Sequence, residues 1–330
     1  LLQAIFAADA PLWLRQIPSV KLLWQVWLQQ FYRSANEEVT LQWRMEKLGL
    51  PPSLSSISSP YDGEAHHSKK RHTTWMGYKV HLSETCDEQS PHLITHVETT
   101  LAPLVDGECT PVIHAAMQKK NLLPGVHLVD SGYVYTQWLL NSQSEYGVSL
   151  LGPTRADYHW QARSAEGFAA CNFVVDWENQ VVTCPQGCTS HSWTPYINKH
   201  QNEVIKVQFS QQVCGQCGCR PQCTRGRRRS LQLQPQAHQQ ALQVARERET
   251  TMDYVAQYRK RAGIEGTISQ GVRAFGLRRA RYIGLAKTRL QHILTATAIN
   301  FVRLADWLQG KPLAKTRQSK FTRLMAGATP

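Results

Sequence analysis

Between residues 56 and 142 the apolar residues change period repeatedly, and that order limits the fold more than any other feature of the chain. Ile57 to Asp62, Trp75 to Glu84 and His92 to Thr99 read as strands. Tyr78, Val80 and Leu82 alternate in the second, and Leu93, Ile94 and Val97 mark the third. A helical stretch over 110–120 follows, then the short apolar run Val126-His127-Leu128-Val129, which closes on Asp130. Ser131-Gly132-Tyr133 leads into a second helix from Thr136 to Ser142. Three strands, a helix, a strand and a helix specify an α/β fold. An acid closing a central strand stands where open α/β sheets place their chemistry.

The flanks have different textures. Residues 1–52 read as a helical N-terminal segment, with Leu22, Leu23, Trp27, Leu28 and Phe31 forming a core-facing stripe, until Pro51-Pro52 and a serine run break the pattern. Residues 53–147 hold the strand and helix order just described. Residues 148–235 form a β-rich, Cys-containing insertion, with strands expected at Phe173 to Trp177, Val181 to Thr183 and Val204 to Phe209. Residues 236–310 turn helical again, through Gln239 to Glu265 and Arg278 to Leu308, and 311–330 is a basic tail. The chain begins Leu1-Leu2 rather than with Met, which leads to the expectation that an N-terminal portion is missing.

With 330 residues and a hydrophobic fraction of 42%, the chain can bury a substantial core. A formal charge of +13 and a pI near 9.4 favour a polyanionic partner. No apolar run approaches the ~18 to 20 residues of a membrane span, so a cytoplasmic setting without a membrane partner is expected.

Three acids stand out by context: Asp62 after a strand, Asp130 at a strand end, and Glu265 on a late helix. Two carboxylates from neighbouring strands and one from a packed helix can hold a pair of hard divalent cations, Mg²⁺ or Mn²⁺. The plain alternative for each is an exposed or helix-capping carboxylate. Glu265 closes the run Tyr258-Arg259-Lys260-Arg261-Ala262-Gly263-Ile264-Glu265, and Arg261 shares its helix face. From Arg259 onward fifteen Lys and Arg residues face only Glu265 and Asp306, a density that a bound polyanion relieves. Arg278, Arg279 and Arg281 lie among core-type residues and are the strongest DNA-contact candidates.

Nine cysteines are too few for a disulfide scaffold in a chain of this size. Six of them cluster as Cys184-x3-Cys188 and Cys214-x2-Cys217-x-Cys219-x3-Cys223. Cys184, Cys214, Cys217 and Cys223, with Cys188 as substitute, could hold a structural Zn²⁺ in a zinc ribbon; the alternative is free buried thiols.

Four blocks carry a resemblance: Ser59-Pro60-Tyr61-Asp62-Gly63-Glu64-Ala65, Trp75-Met76-Gly77-Tyr78-Lys79-Val80-His81-Leu82, His127-Leu128-Val129-Asp130-Ser131-Gly132-Tyr133, and Tyr258 to Glu265. Together they resemble the catalytic half of bacterial insertion-sequence transposases of the DDE class, over roughly residues 40 to 325. Tyr258, Arg261 and Glu265 match that group's Tyr-x2-Arg-x3-Glu-x6-Lys signature; at its last position stands Val272, with Arg273 one residue later.

The resemblance implies a ribonuclease-H-like mixed sheet flanked by helices and interrupted by a β-rich insertion. It implies Asp62, Asp130 and Glu265 as catalytic metal ligands; by position Asp87, after the Tyr78 strand, and Asp106, after the next one, are rivals to Asp62, and the resemblance alone favours Asp62. Tyr258 and Arg261 would hold the DNA backbone, and Arg273 would make a phosphate contact. The expected substrate is double-stranded DNA, at transposon ends and target, acted on by a homodimer in a synaptic complex. In the chemistry that the resemblance implies, water would cleave the strand and the freed 3′-hydroxyl would then attack the target. The alternatives are a catalytically inactive DNA-binding remnant of a truncated element, and a nuclease that cuts without joining.

Overall fold

The computed structural model describes residues 1–33, 41–44, 51–199 and 201–312. The basic tail from 313 onward lies outside the described residues. The chain forms two compact units, Leu1–Leu122 with Lys260–Pro330, and Leu123–Arg259.

The first unit begins with helices α1 (Leu2–Ile5) and α2 (Pro18–Gln30), the latter opened by a proline in its first turn, where the missing N–H is no loss. The continuous helix expected here gives way at Phe31 to a short antiparallel pair, β1 (Phe31–Arg33) and β2 (Leu41–Trp43). Phe31 meets Trp43 edge-on at 5.0 Å, a cross-strand aromatic contact that no helical continuation would make.

The stretch Ile57–Asp62, expected as a strand, is irregular. Its serines turn the chain locally: the Ser58 hydroxyl accepts from the His67 amide at 3.0 Å and the Ser59 hydroxyl from the Tyr61 amide at 3.2 Å. An antiparallel sheet follows, β3 (His66–Lys70), β4 (Thr73–Glu84) and β5 (Ile94–Leu101), with β4 in the centre. Helix α3 (Cys109–Gln118) packs on β5.

The second unit opens with a parallel pair, β6 (Val126–Leu128) and β7 (Ser149–Leu151), joined through helix α4 (Thr136–Tyr146). Val129, Val134 and Leu150 form its core, backed by Tyr133, Trp138 and Leu139. Gly152 is required there, since a Cβ would lie 2.5 Å from the Val129 carbonyl oxygen.

After α5 (Trp160–Arg163) comes the β-rich module read from sequence. It holds the hairpin β8 (Val174–Asp176) and β9 (Val181–Thr183), then β10 (Ser192–Ile197), β11 (Glu203–Gln208), helices α6 (Gln211–Gln216) and α7 (Arg220–Cys223), and β12 (Ser230–Leu233). Strands β10, β11 and β12 form one antiparallel sheet. Helices α8 (Gln236–Glu249) and α9 (Met252–Arg259) complete the unit. The single helix expected through Glu265 breaks at Thr250-Thr251. There the Thr251 hydroxyl donates to the Arg248 carbonyl and accepts from the Tyr254 amide, ending one helix and capping the next.

The chain re-enters the first unit through a 3₁₀ turn, Lys260–Ala262, and forms α10 (Gly263–Phe275). Gly276 at φ 65° ends α10 in the left-handed region, and a second turn at Gly284 (φ 93°) delays α11 to Leu285–Leu308, seven residues later than the periodicity predicts. Helix α11 covers the sheet: Ala296 and Ile299 pack on Ile94 and Val97, with Val80, Leu82 and Phe275 at the margin. The Asn300 amide accepts from the Ile94 amide at 2.8 Å and donates to its carbonyl at 2.9 Å, replacing a missing strand partner.

The architecture is therefore α/β, with its strands in five small sheets among the described residues. No helix among those residues is long and apolar enough to cross a membrane.

Candidate active site

Glu265 lies in the first turn of α10, where a carboxylate faces the positive end of the helix dipole. It is exposed, and Arg261 from the preceding 3₁₀ turn reaches it at 3.4 Å, so the two side chains share a face as their spacing predicts. Tyr258, on α9, belongs to the other unit and stacks on Tyr254 with ring centroids 5.5 Å apart. Burial and the nearby Glu249 push the Tyr254 phenol up to about 12.

The seat of α10 is a buried polar network that the sequence reading missed. Arg303 of α11 donates to Glu84 at 3.0 Å, to the His92 carbonyl at 2.6 Å and to the Thr267 hydroxyl at 2.5 Å, and Thr267 in turn donates to Glu84. Glu84 ends β4 and Thr267 lies two residues after Glu265, so this cluster ties the start of α10 to both sheet and α11. A Cβ at Gly263 would stand 3.3 Å from a Glu84 oxygen, which explains the glycine opening α10. The available signal was an acid at the end of an alternating strand, a position that calls for a partner.

Asp62 sits in the turn before β3, not after a strand. Both its oxygens accept from the Tyr78 hydroxyl, at 2.9 and 2.8 Å, and one accepts from the Gly284 amide at 3.1 Å. Glu64 accepts from the Leu285 amide at 2.8 Å. The Asp62-Gly63-Glu64 turn thus caps α11 with two carboxylates. Burial, then the hydrogen bond to Asp62, raises the Tyr78 phenol pKa far above its usual value. Of the rival acids, Asp106 is held by Lys79 at 3.0 Å, and Asp87 is an exposed loop residue.

Asp130 follows β6 in the second unit, is exposed, and accepts from the Ser131 amide at 2.7 Å. Asp62 and Glu265 belong to the first unit. All three are carboxylates, the donor type that suits a hard divalent cation. Among the described residues no group of three or more His, Cys, Asp or Glu side chains is arranged to hold a metal ion.

The basic loop between α10 and α11 has a fixed backbone and exposed cations. Buried Gln291 accepts from the Arg281 amide at 2.9 Å and donates to the Arg279 carbonyl at 2.7 Å. Arg278, Arg279 and Arg281 are left exposed, and Arg273 is exposed on the last turns of α10. A pinned backbone carrying solvent-facing guanidiniums is a low-entropy way to present phosphate contacts.

In the β-rich module Cys184, Cys188, Cys214, Cys217 and Cys223 line one cavity of about 40 Å³, together with Arg229; Cys219 lies outside that lining. All nine cysteines are free thiols.

Residues 183–305 match the family model described as a transposase DDE domain. The matched stretch contains the cysteine cluster from Cys184, all of α8 to α10, Tyr258, Arg261, Glu265 and the basic loop; Asp62 and Asp130 precede it. No curated protein and no solved structure matches the chain.

Proposed function

We propose that this chain, a DDE-class transposase by the match over residues 183–305, cleaves DNA strands at transposon ends and joins them to target DNA. The observation that carries the reading is that match, because it contains Tyr258, Arg261 and Glu265 in one run. Their spacing is the one that the resemblance requires. A ribonuclease-H-like arrangement belongs to the same reading. The chain order, an antiparallel triplet β3-β4-β5 and then a parallel pair β6-β7, supports it, although the two form separate sheets.

In this reading Asp62, Asp130 and Glu265 would hold Mg²⁺ or Mn²⁺, and DNA is the substrate of a homodimer. When bound, the ions supply Lewis acidity to the attacking and leaving oxygens of an in-line phosphoryl transfer. The chain's own residues do the positioning. Arg261, half-buried and 3.4 Å from the exposed Glu265 carboxylate, would contact a backbone phosphate beside it. Tyr258 offers a phenolic hydroxyl to the same backbone. Arg273, Arg278, Arg279 and Arg281 neutralise flanking phosphates and carry no base readout.

The test uses labelled duplexes from the DNA flanking the gene, with Mg²⁺ or Mn²⁺. Wild-type protein is expected to nick the strand and transfer its 3′ end to a second duplex. Asp130→Asn and Glu265→Gln should each lose cleavage by at least about 10³-fold, the scale expected when groups acting as a unit are removed, while still shifting the duplex in a gel. Cleavage unaffected by either substitution would overturn the assignment of those carboxylates. Binding without cleavage by wild-type protein would favour the inactive remnant, and cleavage without joining would favour a nuclease.

A further inference from the structure

The main core cluster of the β-rich module is small, with six buried apolar side chains among the described residues, Phe173, Val182, Val207, Phe209, Leu231 and Leu233. Small modules of this kind usually need a covalent or metal staple. Cys184, Cys214 and Cys223 pack on this core, and they arise from three different elements. Cys184 follows β9 and opens a tight turn in which its amide donates to the Cys188 carbonyl and the Gly187 amide donates to the Cys184 carbonyl, both at 2.8 Å. Cys214 lies in α6, Cys217 directly follows that helix, and Cys223 ends α7. Cys184, Cys188, Cys214, Cys217 and Cys223 all face one cavity.

A second observation is independent of the cysteines. Arg229 lines the same cavity and is only 8% exposed. One guanidinium nitrogen donates to the Cys223 carbonyl at 2.8 Å and the group lies 5.2 Å from the Phe173 ring centroid, but its Nε–H has no hydrogen-bond partner. Among the described residues no carboxylate lines the cavity. A buried cation with an unused donor beside a wall of thiols calls for negative charge at that wall.

We propose that Cys184, Cys214, Cys217 and Cys223 bind a structural zinc ion as thiolates, and that Arg229 is the buried counter-charge of that centre. Four thiolates around Zn²⁺ leave a net charge of −2, and each thiol releases its proton to solvent on binding. The Arg229 guanidinium halves that charge at the buried side. Thiolate sulfur selects zinc over the magnesium expected at a carboxylate site, so the two centres would not compete for one metal. No three of the side chains are yet arranged as a ligand set. Binding must draw the thiols together across the cavity, which couples the metal to the tightness of the module. This zinc site stands apart from the transposase reading, and its test needs no DNA.

The full chain is purified from zinc-supplemented cells under reducing conditions, and its metal content is measured by mass spectrometry. One zinc per chain is expected, and replacement by Co²⁺ should give the intense near-ultraviolet bands of thiolate-to-cobalt charge transfer. Cys184→Ser and Cys223→Ser should lose the zinc, whereas Cys219→Ser and Cys188→Ser should keep it. Arg229→Gln should keep it with affinity lowered by about 10- to 100-fold, the usual effect of losing a supporting contact, read by chelator competition. Wild-type protein without zinc and without those cobalt bands overturns the proposal even if every variant misfolds. Loss of zinc in Cys188→Ser with retention in Cys223→Ser overturns the ligand set, and unchanged affinity in Arg229→Gln overturns the role of the arginine.

Discussion

Arg303→Met isolates what holds helix α10 in place. The Glu84 side chain is 6% exposed and that of Arg303 19%, so their 3.0 Å pair lies where water screens little. Removing the guanidinium leaves the Glu84 carboxylate buried with Thr267 as its neutral donor, and frees the His92 carbonyl from its 2.6 Å contact. Breaking a buried pair from one side costs about 3–5 kcal/mol, because the surviving charge is uncompensated. With a urea dependence of about 3 kcal/mol per molar, the midpoint of the first unit should fall by about 1–1.7 M. Glu84→Met combined with Arg303→Met should recover part of that loss, since the double variant buries no orphan charge. A coupling of about 1–3 kcal/mol between the two sites is expected. Hydrogen exchange across α10 is the local readout, and protection there should drop with Arg303→Met more than in β8 or β9. A shift worth under about 1 kcal/mol, or two substitutions whose effects simply add, would refute the claim that this pair seats the helix bearing Glu265.

Two further outcomes follow from the charges. Replacing Arg278, Arg279 and Arg281 together by Ala should weaken binding to duplexes of any sequence and reduce the slope of log affinity against log salt by about 2–3; an unchanged slope would remove this loop from the DNA interface. His81, His114 and His292 all have pKa values lowered by burial, so the unfolded chain takes up protons before the folded one. Their contribution is complete above about pH 6.5 and is lost as pH falls through the lowered folded values. Urea midpoints at pH 7.5 and 5.5 should therefore differ in that sense. His292→Gln should narrow the gap, and a midpoint independent of pH would contradict it.

The parts of this fold that were legible in the sequence are those set by local periodicity. The strand ending at Glu84 and the helix starting near 110 read correctly because alternation and helical spacing extend over enough residues to decide the element. The breaks were not legible in the same way. The helix division at Thr250-Thr251 depends on hydroxyls competing with the backbone, and the late start of α11 depends on two glycines in left-handed conformations. Both are short-range choices that a residue type permits without requiring. At the candidate site, Arg261 and Glu265 were readable because they are four apart on a helical path. Arg303 and Glu84 were not, being 219 residues apart and joined only by packing.

Asp62 shows why a motif and a contact must be weighed together. A carboxylate offers about four lone-pair directions. In this structure Oδ1 accepts from the Glu64 amide, Oδ2 from the Gly284 amide at the start of α11, and both from the Tyr78 hydroxyl. Those contacts hold a strand and a helix to the turn, so the same carboxylate supports the first unit whatever else it does. Ligation at Asp62 would displace one of these donors, as ligation at Asp106 would displace Lys79 at 3.0 Å. Loss of activity on replacing Asp62 carries both meanings. Asp130 and Glu265 have exposed side chains, so their replacement tests the proposed catalytic role with less effect on folding.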